Sequence, residues 1–122
     1  MSTTQKFTLF PGALPVGSTV GIFGNGQLAK MLAEPLSRLG YRPLTYGPDK
    51  DGCANRVCDG IIAEYTDAGM RRDFAQQCAV LTTEFENVPV SSVMAALKTK
   101  QGLEFRPGIR ALEVAQSRQK EK

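Results

Sequence analysis

Five short apolar runs alternate with stretches of helical character, and this alternation limits the possible folds most. The predicted strands are residues 18–24, 41–47, 60–65, 79–85 and 102–107. Helical stretches of about ten residues separate them, which is typical of βαβ units with right-handed crossovers. An α+β sandwich of antiparallel hairpins would instead need tight turns between strands, and Asn25-Gly26 leads into a helix. The pattern predicts an α/β fold with a Rossmann-like open parallel sheet and helices on both faces.

The helical stretches carry their own signals. Asp67 is placed to cap the second helix, with Met70 and Phe74 on its inner face. Pro35 should kink or shorten the first helix, and Pro43 indicates an edge position or a frayed start for the second strand. The apolar side of the first helix is predicted to consist of Leu28, Met31, Leu32, Leu36 and Leu39.

A glycine-rich turn joins the first strand to the first helix. Residues 24–29 fit the pattern G-x-G-x-x-G/A in the strand–turn–helix setting that the pattern requires. Gly24 permits the tight turn, Gly26 lets a ligand approach the backbone, and Ala29 allows close packing of the helix on the sheet. Because the N–H groups and the positive dipole end of a helix attract anions, the turn predicts a phosphate site.

The pattern alone does not choose between ligands. A dinucleotide site would also need an acidic residue near the end of the second strand, and Asp49 lies about there. Asp49 belongs to a polar loop that also holds Asp51, so a solvated turn is the simpler interpretation.

Two carboxylates follow the fourth strand, in the segment TTEFENVP at residues 82–89. Ligands of open parallel sheets bind at the carboxyl ends of the strands. Glu84 and Glu86 share one side of an extended chain, so both could face that crevice. The alternative is that one or both cap the next helix.

The composition excludes several classes of function. The chain has 122 residues, the size of one domain, and 15 basic against 12 acidic residues. The last seven residues supply +2 of the net charge of +3, so the remainder has no basic stripe for a nucleic acid. No apolar run is long enough to span a membrane, and residues 1–16, which contain Pro11 and Pro15, resemble a loosely ordered extension rather than a signal peptide.

The cysteines indicate a reducing compartment. Cys53, Cys58 and Cys78 are an odd number without a short pairing pattern, and the chain contains no histidine for a zinc site. We expect three free thiols in a soluble, cytoplasmic protein without a metal site in this domain.

Three motifs together resemble one family. GSTVGIFGNGQLAKML (17–32), TTEFENVP (82–89) and AQSRQKEK (115–122) are similar to motifs of the N-terminal domain of N5-carboxyaminoimidazole ribonucleotide synthases, members of the ATP-grasp superfamily. The resemblance covers about residues 14–122. It implies a Rossmann-like pre-ATP-grasp domain over residues 17–122, preceded by the extension at 1–16, with the ATP-grasp domain absent from this chain.

The resemblance implies an ATP-dependent ligase of de novo purine biosynthesis. That ligase would carboxylate 5-aminoimidazole ribonucleotide with bicarbonate, giving N5-carboxyaminoimidazole ribonucleotide by way of carboxyphosphate. ATP and Mg²⁺ would be bound mainly by the missing domains, so residues 1–122 alone should be inactive and carry no catalytic residue. The residues implied as ligand contacts are Gly26, Gln27, Leu28 and Glu84 for the ribonucleotide, and Arg118 for ATP.

The sequence departs from the family pattern at a few positions. Asn25 occupies a position where many members have glycine, which predicts a positive φ there. Ala29 and Lys30 replace a common Gly-Arg pair, and Ser117 replaces the aspartate before Arg118.

Two other functions remain open. A nucleotide-sensing Rossmann module would bind NAD or a similar ligand without chemistry, but it has no evident need for the carboxylates at 84 and 86. A domain that serves only as a dimer interface would expose apolar faces, and a homodimer is therefore a possible partner arrangement.

Overall fold

The computed structural model describes residues 14–84 and 88–106. Glu86, Arg118 and the helix predicted after residue 107 lie outside the described residues, as does most of the predicted extension. The expectations stated for them stay predictions.

The described chain forms one parallel sheet with three helices. The strand order is β3-β2-β1-β4-β5, and all four strand pairs are parallel, which confirms the predicted fold class. The elements are β1 (Thr19–Phe23), α1 (Gln27–Arg38), β2 (Arg42–Gly47), β3 (Asp59–Ile62), α2 (Ala68–Gln77), β4 (Val80–Thr83), α3 (Val90–Leu97) and β5 (Glu104–Phe105), with a 3₁₀ turn at Cys53–Arg56 between β2 and β3.

Both faces of the sheet are packed. Ile22 and Phe23 are neighbours in β1, so their side chains point to opposite faces. Ile22 packs with Ala29 and Ala33 of α1, whereas Phe23 packs with Phe74 of α2 and with side chains of α3. Since both β1 residues are fully buried, β1 is the centre of the hydrophobic core.

Helix α1 contacts the sheet through alanines rather than leucines. Ala29 and Ala33 are fully buried, while Leu28, Met31 and Leu32 are 43%, 57% and 38% exposed. The predicted apolar side is present but largely exposed, and Leu32, Leu36 and Leu39 line an open groove beside the sheet. Small side chains let the helix axis approach the strands closely, as the motif position of Ala29 predicted.

Local signals succeed at the α2 cap and only in part at the two prolines. Pro43 lies at the start of a central strand, not at an edge. Proline has no N–H to donate, but pairing with β3 begins only at Leu44, so no hydrogen bond to β3 is lost. Helix α1 continues through Pro35 to Arg38. Asp67 accepts a hydrogen bond from the N–H of Met70 at 3.1 Å, which confirms the predicted cap.

Candidate functional site

The ends of β1 and β4 meet at the carboxyl edge of the sheet. The N–H of Glu84 donates to the carbonyl of Phe23 at 3.1 Å. The buried hydroxyl of Thr83 lies between two carbonyl oxygens, 3.2 Å from that of Phe23 and 2.7 Å from that of Glu84. These bonds fix the first residue after β4 against the first turn after β1, as the prediction of a crevice at this edge requires.

The position of the Glu84 side chain requires a glycine at residue 24. Gly24 has a φ of +110°, a conformation that disfavours any L side chain. A Cβ atom at Gly24 would lie 2.5 Å from Cγ and Cδ of Glu84 and 2.9 Å from its Oε2. The carboxylate therefore lies directly over the backbone of the turn, and the structure brings together two motifs that are far apart in the sequence.

The N-terminus of α1 is open beside this turn. Gly26 is the N-cap residue, with a φ of −94° and no side-chain capping bond, and the first turn contains no acidic residue. A Cβ atom at Gly26 would contact nothing within 4 Å. The N–H groups of the first helical residues, Gln27 and Leu28 among them, have no intrahelical acceptor by geometry. The edge thus presents both an anion-binding helix end and a carboxylate.

Asn25 has a structural task, and the prediction of a positive φ for it was wrong. Among the described residues, only glycines have a positive φ. Asn25 is 4% exposed, and its Nδ2 donates to the carbonyl of Asp49 at 2.7 Å. Its own carbonyl accepts from the N–H of Ala54 at 3.1 Å. A buried side chain with these bonds attaches the loop after β2 to the glycine turn.

The loop after β2 forms a turn of its own. The Oδ1 of Asp49 accepts from the N–H of Asp51 at 2.9 Å, which confirms the interpretation of Asp49 as a turn residue. The thiol of Cys53 donates to Oε1 of Gln27 at 3.4 Å. The loop therefore borders the site through Gln27, while the Asp49 carboxylate is engaged locally.

Tyr65 is a residue of this edge that the sequence interpretation missed. Its ring centroid lies 6.3 Å from that of Phe23 and 6.1 Å from that of Tyr46. Burial, and secondarily the charge of Glu84, raise the pKa of Tyr65 to about 12. An aromatic residue just after a strand end was the available signal, but such a residue is usually a core residue.

The described residues contain neither a metal-binding cluster nor a membrane-spanning helix. No three His, Cys, Asp or Glu side chains cluster in the part of the chain that the structure describes. Within the same residues, no helix has the length and apolar character that a membrane crossing requires.

Comparisons with known proteins agree with the geometry. The family model described as the ribonucleotide synthetase preATP-grasp domain matches residues 17–116. The N5-carboxyaminoimidazole ribonucleotide synthase of Brucella melitensis is 40% identical over 111 residues, which are 90% of this chain and 30% of the relative.

Solved structures give the same result. The synthetase from Thermus thermophilus has a TM-score of 0.73 and 40% identity over 84% of this chain and 28% of its own. The Staphylococcus aureus enzyme complexed with ADP has a TM-score of 0.72 and 31% identity over 82% of this chain and 26% of its own.

The chain spans less than a third of the length of these relatives. The match nevertheless covers most of the described fold, including the glycine turn and the end of β4. The chain belongs to the ribonucleotide synthetase preATP-grasp domain family.

Proposed function

We propose that this domain binds the ribonucleotide substrate of an ATP-dependent ligase that carboxylates 5-aminoimidazole ribonucleotide with bicarbonate. The observation that carries the proposal is the position of the Glu84 carboxylate over Gly24, beside the open end of α1. The family and the names of its relatives support the choice of ligase.

The two parts of the edge suit the two ends of that substrate. The phosphate would accept hydrogen bonds from backbone N–H groups at Gln27 and Leu28, where the helix dipole favours an anion. The amino group and sugar hydroxyls are donors, and the Glu84 carboxylate is an acceptor. Gly26, which has open space where a side chain would stand, leaves room for the ligand.

We expect ATP and Mg²⁺ to bind mainly in the regions of such ligases that this chain does not span. The S. aureus relative was solved with ADP, which supports a nucleotide site in such proteins. The described residues here offer no acidic cluster that could hold Mg²⁺. Arg118 remains the predicted ATP contact, and bicarbonate the predicted second substrate. Purine biosynthesis and the three free thiols favour a cytoplasmic location.

The geometry favours a ribonucleotide over NAD. A dinucleotide would need an acidic side chain free to hold its ribose at the end of β2. Asp49 is the candidate, and one of its two carboxylate oxygens, Oδ1, already accepts the N–H of Asp51 within the turn.

Glu84→Gln tests the proposal in the full-length ligase. The amide keeps the shape and loses the charge, and a hydrogen bond to a charged group contributes about 1.5–3 kcal/mol. We expect kcat/KM for the ribonucleotide to fall roughly ten- to hundredfold, with KM for ATP unchanged. Steady-state kinetics with each substrate varied is the measurement.

Glu104→Gln is the matched control. Glu104 is an exposed residue of β5 whose Oε1 accepts from Arg106 at 2.6 Å, and its substitution should leave the kinetics unchanged. If Glu84→Gln behaves like Glu104→Gln, the proposed substrate site is wrong.

A further inference from the structure

An open apolar groove lies on the face of the sheet that packs against α1. The groove has a volume of about 470 Å³, and its apolar lining includes Leu32, Leu36 and Leu39 from α1 and its C-cap, Val20 from β1 and Val80 from β4. Leu32 is 38% exposed and Leu39 is 66% exposed, although leucine side chains gain free energy on burial. Within residues 14–84 and 88–106, therefore, nothing closes the groove.

The topology explains why this part of the sheet is uncovered. The chain runs outward from β1 to β3, then returns to β4 and continues outward to β5 on the other side of β1. Right-handed crossovers in opposite directions place their helices on opposite faces of a sheet. Helix α1 accordingly packs on one face with Ile22, whereas α2 and α3 pack on the other face with Phe23. None of the crossovers between these five strands supplies a helix for the α1 face of β4 and β5.

The segment that follows β5 is placed to cover the groove. Arg106, the last described residue, lines it. The sequence continues with Pro-Gly, a turn dipeptide, and then with IRALEVA at 109–115. In a helix over these residues, Ile109, Leu112 and Ala115 would share one side, because they recur at i, i+3 and i+6. β5 ends at the edge where α1 begins, so a segment returning over the sheet would run alongside α1.

We propose that the groove is the docking site for residues 109–115 of this same chain, with Ile109, Leu112 and Ala115 facing it. The docked segment supplies the α1 face with a second helix beside α1, over β4 and β5. It also attaches the predicted ATP contact, Arg118, to the domain that carries Glu84. The docking itself does not depend on the proposed function.

Truncation of one leucine on each side of the contact tests the docking in the 122-residue chain. Leu32→Ala and Leu112→Ala should each lower the thermal unfolding midpoint by about 5 °C or more, because each leaves a cavity between α1 and the segment. The matched controls are Met31→Ala, at a position of α1 that is 57% exposed and outside the groove lining, and Val114→Ala, on the other side of the predicted helix. Each control should lower the midpoint by less than about 2 °C.

Double variants show whether the two leucines contact each other's surroundings. If the segment occupies the groove, Leu32→Ala combined with Leu112→Ala should cost clearly less than the sum of the single losses, whereas Met31→Ala combined with Leu112→Ala should be additive. Additive losses for both pairs would overturn the proposal.

Hydrogen exchange of the unmodified chain gives an answer that requires no variant. An isolated helix shorter than about 12–15 residues is marginal in water, so protection of the amides at 109–115 requires docking. We expect mass spectrometry to find these amides protected, and unprotected amides would contradict the proposal.

The oligomeric state separates this occupant from a second copy of the chain. The proposal expects a monomer in analytical ultracentrifugation, with the same unfolding midpoint at all protein concentrations. A dimer that Leu32→Ala dissociates would assign the groove to the second copy and overturn the proposal. Neither result bears on the Glu84 site, which the kinetics of Glu84→Gln test separately.

Discussion

At the scale of single residues, the two glycines of the turn have different tasks. Gly24 combines a positive φ with a carboxylate where its side chain would be. Gly26 has an ordinary extended backbone and open space around it. The first glycine is thus required by the fold and by Glu84, whereas the proposed ligand site accounts for the second.

Alanine substitutions should separate these tasks. Gly24→Ala is expected to destabilise the fold by about 1–2 kcal/mol from the backbone alone and to displace Glu84. Gly26→Ala should cost less than about 1 kcal/mol, because its conformation and surroundings accept a methyl group. Urea unfolding of both variants is the measurement. Equal losses of stability would contradict this assignment.

At the scale of the elements, one buried side chain joins the glycine turn to the loop after β2. Asn25 donates to Asp49, and Gly47 and Gly52 both bring their backbones against the Asn25 side chain. The loop can therefore approach the turn only because two glycines leave room for the amide. Its position beside Gln27 depends on the same contact.

Asn25→Asp is expected to lower the free energy of unfolding by about 1–3 kcal/mol. The change keeps the size but removes the Nδ2 donor and leaves the Asp49 carbonyl facing an acceptor. Asn55→Ala is the comparison, because the Asn55 bonds to the same loop are 3.3 and 3.5 Å long and solvent-exposed, and alanine places no carboxylate at its buried Oδ1 position. Chemical denaturation should show the smaller loss for position 55; the reverse order would exclude Asn25 as the anchor.

The junction of α2 and β4 buries a thiol. Cys78 is fully buried, its Sγ donates to the carbonyl of Phe74 at 3.1 Å, and burial raises the pKa of Cys78 to about 12. Cys53 and Cys58 are half-buried, and all three are free. Since only an accessible thiolate reacts, the cysteines should differ in rate.

Thiol titration without reductant should recover three thiols, with Cys53 reacting in the native chain and Cys78 only after denaturant is added. Burial also raises the pKa of Cys58, which should place its rate between the other two. Mass spectrometry of the alkylated chain assigns each site. A missing pair of thiols would indicate a disulfide instead.

The elements were more predictable than their contacts. The alternation of patterns predicted the parallel sheet, and Asp67 predicted the start of α2, because both signals are local. The side of α1 that faces the sheet was not predictable from the leucines, since close packing selected Ala29 and Ala33. Strand ends were predicted too long, β5 being only Glu104–Phe105.

The site was predictable only in part for the same reason. Glu84 could be placed at the carboxyl edge of the sheet because it follows the apolar residues of the fourth predicted strand in the sequence. The conformation of Asn25 depends on its contact with Asp49, and the position of the Tyr65 ring depends on its contact with Phe23. No local pattern contains those contacts.

At the scale of the whole molecule, buried tyrosine hydroxyls and a buried cysteine thiol make the free energy of unfolding depend on pH. The pKa values of Tyr46, Tyr65 and Cys78 are raised to about 12, mainly by burial. Above about pH 9 the unfolded chain begins to lose protons that the folded chain retains, so the unfolded state is favoured as the pH rises towards 12.

The free energy of unfolding should therefore fall between about pH 9 and 12, and be insensitive to these groups at neutral pH. Each group contributes at most about 1.4 kcal/mol per pH unit to the slope. Urea unfolding at several pH values measures it. Cys78→Ala should give a shallower slope, whatever its effect on stability at pH 7; an unchanged slope would show that Cys78 does not contribute.

The contact between Gly24 and Glu84 also determines when, during refolding, the proposed ribonucleotide site is complete. Phe23 and Thr83 directly precede Gly24 and Glu84, and they are partners in the parallel pairing of β1 with β4. The segment between them is most of the described chain. Closing so long a loop is slow compared with forming α1 or the adjacent β1–β2 unit. Recovery of the proposed ribonucleotide binding should therefore lag behind recovery of the far-ultraviolet helical signal, and the ligand would report completion of the central sheet.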